Sequence, residues 1–273
     1  MPSVAELLRT AAGRVARPDA RILLSSVLGV PKESFIAHPE REVAEADAKR
    51  FLSMIDKAAQ GCPIPYLTGL QAFWCRDFLV TPAVLIPRPD TETVVETALS
   101  LVKTIQRPRI LELGTGSGCI AVTLALERTD ATVQATDVSS EALKIAEQNA
   151  RRLDAPEIAF SLGSWFDAIP RDVVFDLIVS NPPYIEPDDE HLVALRYEPI
   201  GALTDGVDGL SDIRAIATGS LQHLAPGGFL VLEHGYDQGA AVREILLAAG
   251  FSACRTIRDL GGNERCTVGQ HTD

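Results

Sequence analysis

The chain has 273 residues, of which 46% are hydrophobic and 23% are charged. This balance is typical of a folded globular protein and excludes a fully disordered chain. The formal net charge is −12, and it is unevenly distributed: residues 1–75 sum to +1 and residues 76–273 to −13. The long acidic part would repel a phosphate backbone, which excludes a uniformly basic nucleic-acid-binding protein.

The five cysteines and five histidines are scattered along the chain. Neither a Cys-x-x-Cys nor a His-x-x-x-His pair occurs, so we expect no disulfide framework and no metal site. The first residues lack the apolar core of a signal peptide, and no apolar run reaches the roughly 20 residues of a membrane span. We therefore expect a cytoplasmic protein that does not bind membranes.

The first part of the chain is predicted to be helical. Ser3 and Glu6 have the spacing of a capping box. Amphipathic helices are expected at Asp19–Leu28 and Glu45–Gln60. Together these elements predict a small helical bundle over residues 1–62.

The composition changes over residues 63–89, which contain five prolines and several aromatic residues. Leu70–Trp74 and Asp77–Thr81 are predicted to pair as a hairpin. We interpret this stretch as a hairpin and linker between the helical bundle and a larger domain at residues 90–273.

From residue 90 onward, apolar strands alternate with amphipathic helices. This order is typical of an α/β fold with a mostly parallel, doubly wound sheet and helices on both faces. The predicted strands are Arg109–Leu113, Thr132–Thr136, Ile158–Leu162, Val173–Ser180, Gly228–Glu233, Ser252–Arg258 and Arg265–Gly269. The predicted helices are Glu92–Ile105, Ser117–Glu127, Ser139–Arg152, Asp212–Leu224 and Gln238–Ala249.

A glycine-rich loop, Gly114-Thr115-Gly116-Ser117-Gly118, follows the first strand of this domain. Glycines let the backbone turn tightly and approach a ligand closely, and ligands of such sheets bind beyond the carboxyl ends of the strands. Asp137 ends the next predicted strand, where a carboxylate can accept both ribose hydroxyls of a nucleoside. Glu112 would repel a pyrophosphate but tolerate an ammonium group, which favours S-adenosylmethionine over NAD. A tight turn without a ligand is the alternative.

Trp165 follows the third predicted strand of this domain. Its polar neighbours Ser164 and Asp167 indicate an exposed position, where an indole can lie against an adenine ring. A core aromatic residue is the alternative, and Trp165 is a better candidate for the adenine contact than Phe166.

The sequence Asn181-Pro182-Pro183-Tyr184 ends the most apolar predicted strand. Two prolines cannot continue a sheet ladder, so the chain must leave the sheet there. The side-chain oxygen of Asn181 and the carbonyl of Pro182 can then both accept hydrogen bonds from an NH2 group bound to an sp2 carbon. The Tyr184 ring can pack against one face of this planar group. Two acceptors would direct the nitrogen lone pair toward a methyl donor, so the catalysis would rest on positioning and electrostatics. A simple strand-ending turn is the alternative.

These two motifs, preceded by Pro87-Arg88-Pro89-Asp90-Thr91-Glu92, resemble the HemK/PrmC family. Members of that family methylate the side-chain amide of a glutamine in class I peptide chain release factors. The resemblance extends over PYLTG (65–69), TPAVLIPRPDTE (81–92), ELGTGSG (112–118), SNPPYI (180–185), RYEP (196–199), GGFLVLEHG (227–235) and GGNER (261–265).

The resemblance implies a class I methyltransferase domain with a seven-stranded sheet, behind a small N-terminal helical domain that docks the release factor. It implies that S-adenosylmethionine is the cofactor and that a class I release factor is the protein substrate. We also expect a monomer that makes no direct contact with nucleic acid. The implied cofactor-binding residues are Gly114, Thr115, Gly116, Ser117, Gly118, Asp137, Trp165 and Asn181. The implied substrate-binding residues are Asn181, Pro182, Pro183 and Tyr184, which hold the glutamine of the Gly-Gly-Gln motif. The implied catalytic residues are Asn181, Pro182 and Tyr184.

Other functions compete with this interpretation. An adenine or cytosine exocyclic-amine methyltransferase uses the same Asn-Pro-Pro-Tyr corner (residues 181–184) to bind the same kind of planar NH2 group. Such an enzyme needs a cationic face and access to an extruded base. A ribosomal-protein glutamine methyltransferase is separated only weakly by the sequence. A non-catalytic cofactor-binding module predicts a broken glycine loop or Asn-Pro-Pro-Tyr corner, and both are intact.

Overall fold

The computed structural model describes residues 1–155 and 157–272. The chain forms two compact units, Met1–Leu70 and Gln71–Asp273. In the described residues, no helix is both long and apolar enough to pass through a lipid bilayer. The predicted domain boundaries near residues 62 and 89 stay predictions.

The first unit is built from short helices around an apolar core that includes Leu23, Phe51 and Ile55. The predicted capping box is present, because Ser3 N donates to Glu6 Oε2 at 2.8 Å and Glu6 N donates to Ser3 Oγ at 3.3 Å. The helices are α1 (Val4–Ala11), α2 (Arg17–Leu28), α3 (Ser34–Ala37), α4 (Glu45–Ala59) and α5 (Ile64–Thr68).

Helices α3 and α5 were not expected from the sequence. Both are about one turn long, too short for a helical period to show. Helix α5 has a proline near its start, a position where the missing N–H costs nothing. Prolines of the 63–89 stretch therefore start a helix as well as marking a linker.

The second unit contains the remaining elements. Its helices are α6 (Glu92–Leu101), α7 (Cys119–Glu127), α8 (Ser140–Arg152), α9 (His191–Ala194), α10 (Ser211–Ser220) and α11 (Gly239–Ala249). The strands are β1 (Leu70–Phe73), β2 (Arg76–Leu79), β3 (Arg109–Leu113), β4 (Thr132–Asp137), β5 (Ile158–Leu162), β6 (Phe175–Ser180), β7 (Leu224–Glu233), β8 (Ser252–Arg258) and β9 (Glu264–Gln270). Strand β1 begins at the last residue of the first unit.

The seven-stranded sheet has the order β5-β4-β3-β6-β7-β9-β8. Strands β3 to β7 are parallel, and β9 runs antiparallel to both β7 and β8. One face is covered by α6, α7 and α8, and the other by α10 and α11, each with its own apolar core. The predicted doubly wound, mostly parallel sheet is confirmed.

Several predicted boundaries were wrong, and at the hairpin and at β7 the reason is local. The hairpin strands end at Phe73 and restart at Arg76, because Trp74 and Cys75 have positive φ values of 49° and 57° and form the turn. Strand β7 begins at Leu224, four residues before the predicted start, and carries Pro226 where its register with β6 shifts. A proline is tolerated at such an irregularity.

Asn149 on α8 joins three parts of the second unit. It is fully buried, and its Oδ1 accepts the Leu79 N–H of β2 at 2.7 Å. Its Nδ2 donates to the carbonyls of Leu79 at 3.0 Å and Ser117 at 2.8 Å. One side chain therefore fixes the hairpin and the glycine-rich loop to the same helix.

We predict that Asn149→Ala destabilises the second unit. The substitution leaves three backbone groups without their partner, which should lower the free energy of unfolding by about 2–4 kcal/mol. Urea denaturation measures this change, with Asn263→Ala on an exposed loop as the control. Equal stability of the two variants would contradict the assigned role.

Candidate active site

The two motifs leave the sheet side by side. Strands β3 and β6 are parallel neighbours, with Leu113 opposite Ser180. The Ser180 hydroxyl donates to the Leu113 carbonyl at 2.7 Å and locks the two strand ends together. The next residues, Gly114 and Asn181, therefore begin adjacent loops at the carboxyl edge of the sheet, about 5 Å apart as for paired strands.

The glycine-rich loop needs glycine for two separate reasons. Gly114, Gly116 and Gly118 have positive φ values of 70°, 55° and 80°, a region that side chains disfavour. A Cβ on Gly118 would also lie 3.1 Å from the Ala146 Cα of α8. Gly118 thus packs against a helix, whereas the preceding loop residues line a cavity of about 390 Å³.

Asp137 faces this cavity from the end of β4. Its Oδ2 accepts the Gly116 N–H and its Oδ1 accepts the Ser139 N–H, both at 2.8 Å. Burial raises the pKa of Asp137 above its ordinary value, while these two N–H groups oppose the rise. Each carboxylate oxygen keeps a further lone pair for a hydroxyl. The side chain can therefore hold the loop and a diol together.

Glu112, at the end of β3, is buried and lines the same cavity. Its Oε2 accepts the Thr115 hydroxyl at 2.5 Å and the Ala121 N–H at 3.0 Å. Burial raises the pKa of Glu112 to about 8. An ammonium group in the cavity would lower this pKa, because a nearby opposite charge favours the ionised form.

The Trp165 indole lies against the first glycine of the loop. A Cβ on Gly114 would be 3.3 Å from its ring. Asp212 lines the same cavity as the indole, and the Thr136 hydroxyl donates to the Trp165 carbonyl at 3.0 Å. Trp165 lines the cavity, whereas the Phe166 ring stacks on His223 away from it, with ring centroids 5.0 Å apart.

Asn181 borders two cavities. It lines the cavity of about 390 Å³ together with the glycine loop and Pro183. It also lines a smaller cavity of about 120 Å³ together with Pro182 and Tyr184. All residues around both cavities belong to the second unit. A group bound on one side of Asn181 thus lies next to a group bound on the other.

The side-chain hydroxyl and the backbone carbonyl of Tyr184 both form hydrogen bonds. Its hydroxyl donates to Glu233 Oε1 at 3.2 Å, and its carbonyl accepts Gln238 Nε2 at 3.0 Å. Gly209 passes so close that a Cβ there would be 2.4 Å from the same carbonyl. Burial and the neighbouring Glu233 carboxylate raise the pKa of Tyr184, so its hydroxyl stays protonated.

An ion pair lies beside the smaller cavity, which Arg88 lines. Arg88 pairs with Glu198, whose other oxygen accepts the Ile86 N–H at 3.0 Å. The segment before α6 is thereby tied to the loop that follows the Asn181–Tyr184 corner. In the part of the chain that the structure describes, no three His, Cys, Asp or Glu side chains come together as a metal site.

Sequence reasoning brought together the glycine loop, Asp137 and the corner, but it assigned no site role to Thr91, Asp212 or Glu233. Thr91 accepts a hydrogen bond of 3.5 Å from Asn181 Nδ2. Glu233 contacts the Tyr184 hydroxyl. The sequence features that could have identified these two residues are the motifs that contain them, PRPDTE (87–92) for Thr91 and GGFLVLEHG (227–235) for Glu233.

Comparison with known proteins finds relatives along nearly the whole chain. The methyltransferase small domain family matches residues 92–196 and the PrmC N-terminal domain matches residues 3–69. Release factor glutamine methyltransferases from Xylella fastidiosa and Burkholderia pseudomallei are 45% and 46% identical, over 99% and 98% of this chain and 98% and 96% of their own. A solved methyltransferase from Pyrococcus furiosus shares the fold, with a TM-score of 0.55 at 20% identity over 84% of this chain and 100% of that chain.

We predict that Asp137→Ala weakens binding of S-adenosylmethionine by about 10- to 100-fold, because charge-assisted hydrogen bonds to hydroxyls are lost. Asp137→Asn keeps one acceptor oxygen and should give an intermediate loss. Isothermal titration calorimetry on folded variants measures both, with Asp172→Ala on an exposed loop as the control. An unchanged dissociation constant for Asp137→Ala would contradict the ribose assignment.

Proposed function

The chain belongs to the family of release factor glutamine methyltransferases, and from this premise we propose that it methylates the side-chain amide nitrogen of a release-factor glutamine. It is an S-adenosylmethionine-dependent protein-(glutamine-N5) methyltransferase. The glutamine is that of the Gly-Gly-Gln motif of class I release factors. The observation that carries this proposal is the position of Asn181 between the two cavities.

The larger cavity fits the cofactor. Its volume lies within the range of about 300–1,000 Å³ of small-molecule sites. Asp137 offers acceptors to a ribose and Glu112 offers a carboxylate to an ammonium group. The positive φ at Gly114 and Gly116 brings backbone to the cavity wall, and the Trp165 indole provides a flat surface. When bound, S-adenosylmethionine supplies an electrophilic methyl group.

The smaller cavity would take the glutamine side chain. Asn181 Oδ1 and the Pro182 carbonyl would accept hydrogen bonds from the two hydrogens of the amide NH2. The Tyr184 ring would pack against the planar face of the amide. Acceptors that pull on both hydrogens favour a pyramidal nitrogen, whose lone pair then points toward the larger cavity. Because the nitrogen is neutral and planar in the ground state, fixed dipoles that act on its developing charge lower the barrier.

Several finer statements stay proposals. We propose that residues 1–62 dock the release factor, which agrees with both cavities being lined by residues of the second unit. We also propose that the chain acts as a cytoplasmic monomer with no direct nucleic-acid or membrane contact. The net charge of −13 over residues 76–273 supports the proposal on nucleic acid.

A substrate panel tests the function. The chain is incubated with methyl-labelled S-adenosylmethionine and, separately, a class I release factor, ribosomal proteins, and DNA or RNA. We expect label in the release factor and none in a release factor whose Gly-Gly-Gln glutamine is replaced by asparagine. Label in ribosomal protein or nucleic acid, with none in the release factor, would contradict the proposal.

We predict that Asn181→Ala lowers the rate of methyl transfer by about 100-fold or more, the scale for loss of one preorganised polar partner of a transition state. Cofactor binding should change less than the rate, because Asp137 and the glycine loop are untouched and Asn181 is one of many residues that line the larger cavity. Asn181→Asp keeps an acceptor oxygen and should retain more activity than the alanine variant. Single-turnover rates at saturating cofactor measure the difference. Rates equal to that of the unaltered chain for both variants would show that Asn181 only shapes the turn.

A further inference from the structure

The larger cavity contains a carboxyl group that the proposed function does not use. Among the described residues, the side chains of Glu112, Asp137 and Asp212 line this cavity. Glu112 is assigned to an ammonium group and Asp137 to a diol, whereas Asp212 has no role. Burial and the neighbouring Asp205 carboxylate raise the pKa of Asp212 above its ordinary value. A hydrogen-bond donor on a ligand in the cavity would offset the cost of placing a carboxylate there.

One face of α10 packs against the segment that follows β5. Asp212, Ile216 and Gly219 share this face, because residues four and seven positions apart lie on the same side of a helix. A Cβ on Gly219 would be 2.6 Å from the Phe166 ring, and Trp165 packs against the apolar core that contains Ile216. Asp212 therefore lies at the Trp165 end of the cavity.

The start of α10 is held in place by the loop before it. Asp205 Oδ2 accepts the Ser211 N–H at 2.8 Å. Its Oδ1 accepts the N–H groups of Val207 at 2.9 Å and Gly209 at 3.0 Å. The residue directly before Asp212 is thus anchored through its backbone. Asp212 has a defined position at the cavity wall, as a residue that selects a ligand requires.

The order of the strands indicates which part of S-adenosylmethionine reaches this end. Strands β6, β3, β4 and β5 are successive neighbours in the sheet. In the proposed function, the methyl group lies by Asn181, after β6, and the ribose lies by Asp137, at the end of β4. The adenine is attached to the ribose on the side away from the sulfur. It would therefore extend toward β5 and Trp165.

Apolar surfaces suited to a purine ring occur at this end of the cavity. Asp137 pairs with Leu162, and the Gly163 N–H donates to the Asp137 carbonyl at 3.0 Å. The loops after β4 and β5 therefore begin side by side. Val138 on the first loop is 76% exposed, and it lines the cavity together with Trp165 on the second. A ring against these surfaces still needs hydrogen-bond partners for its polar edge.

We propose that Asp212 selects the adenine of the cofactor by accepting a hydrogen bond from its exocyclic amino group. The proposal rests on the proposed function only through its cofactor. Ser164 also lines this end of the cavity, but a hydroxyl can donate as well as accept, so it imposes no requirement for a donor. An ionised carboxylate can only accept, so it favours a ring that carries a donor at this position.

Calorimetry with two ligands tests this selection. One is S-adenosylhomocysteine, and the other is its 6-deamino analogue, in which hydrogen replaces the amino group. The unaltered chain should bind the amino ligand about 10- to 100-fold more tightly, the scale of one charge-assisted hydrogen bond. Asp212→Ala removes the acceptor, so the preference should fall to about threefold or less. Equal binding of the two ligands by the unaltered chain would overturn the proposal.

The preference also separates selection from a purely structural role. If Asp212 only supported the start of α10, the alanine variant would bind both ligands more weakly by the same factor. An unchanged preference in Asp212→Ala would therefore overturn the proposal. Asp212→Asn keeps a neutral acceptor and should show an intermediate preference, and it replaces the alanine variant if that variant does not fold. Full preference in Asp212→Asn together with Asp212→Ala would likewise overturn the proposal.

Asp208→Ala is the matched control. Asp208 does not line the cavity, but its Oδ1 accepts the Leu210 N–H at 3.1 Å beside the start of α10. This variant should keep the preference of the unaltered chain, and its loss there would overturn the proposal. Failure of the proposed function is distinguishable. A chain that shows the expected ligand preferences but leaves the release factor unmethylated would contradict the function and not the role of Asp212.

Discussion

The proposed active site depends on the parallel register of β3 and β6. Leu113 lies opposite Ser180, and the Ser180 hydroxyl binds the Leu113 carbonyl. Because paired parallel strands end together, the glycine loop and the Asn181–Tyr184 corner begin at neighbouring points. In the proposed function, a methyl donor held by one loop and an amide held by the other would therefore lie next to each other. A shift of this register by one residue would point every side chain of the strand to the opposite face.

The second requirement is that hydrogen-bond acceptors face the substrate nitrogen. The residues at the corner carry no strong base or nucleophile, and the pKa of Tyr184 is raised, so it remains a neutral phenol. The chemistry then depends on where fixed dipoles point, and buried groups lie behind the corner: Thr91 accepts from Asn181 Nδ2 and Glu233 accepts from the Tyr184 hydroxyl. Burial makes such dipoles effective, because little water is present to screen or reorient them.

Much of the fold follows from the sequence, since the strands β3, β5 and β8 have the predicted bounds residue for residue. These bounds can be predicted because the strands are short apolar runs that alternate with amphipathic helices, a pattern visible in the local sequence. The hairpin turn was predicted one residue too late, at residues 75–76, because Trp74 and Cys75 adopt positive φ without being glycine. Glu233 was missed for another reason: it is one acidic residue at the end of a strand. Its contact with the Tyr184 hydroxyl appears only when β6 and β7 lie side by side in the folded chain.

The most direct test of this account is to locate the transferred methyl group. A class I release factor is incubated with the chain and S-adenosylmethionine, digested, and its peptides are sequenced by tandem mass spectrometry. We expect one added methyl group on the side-chain nitrogen of a single glutamine, in the Gly-Gly-Gln motif. A methyl group on another residue, on a backbone nitrogen or on several glutamines would contradict it.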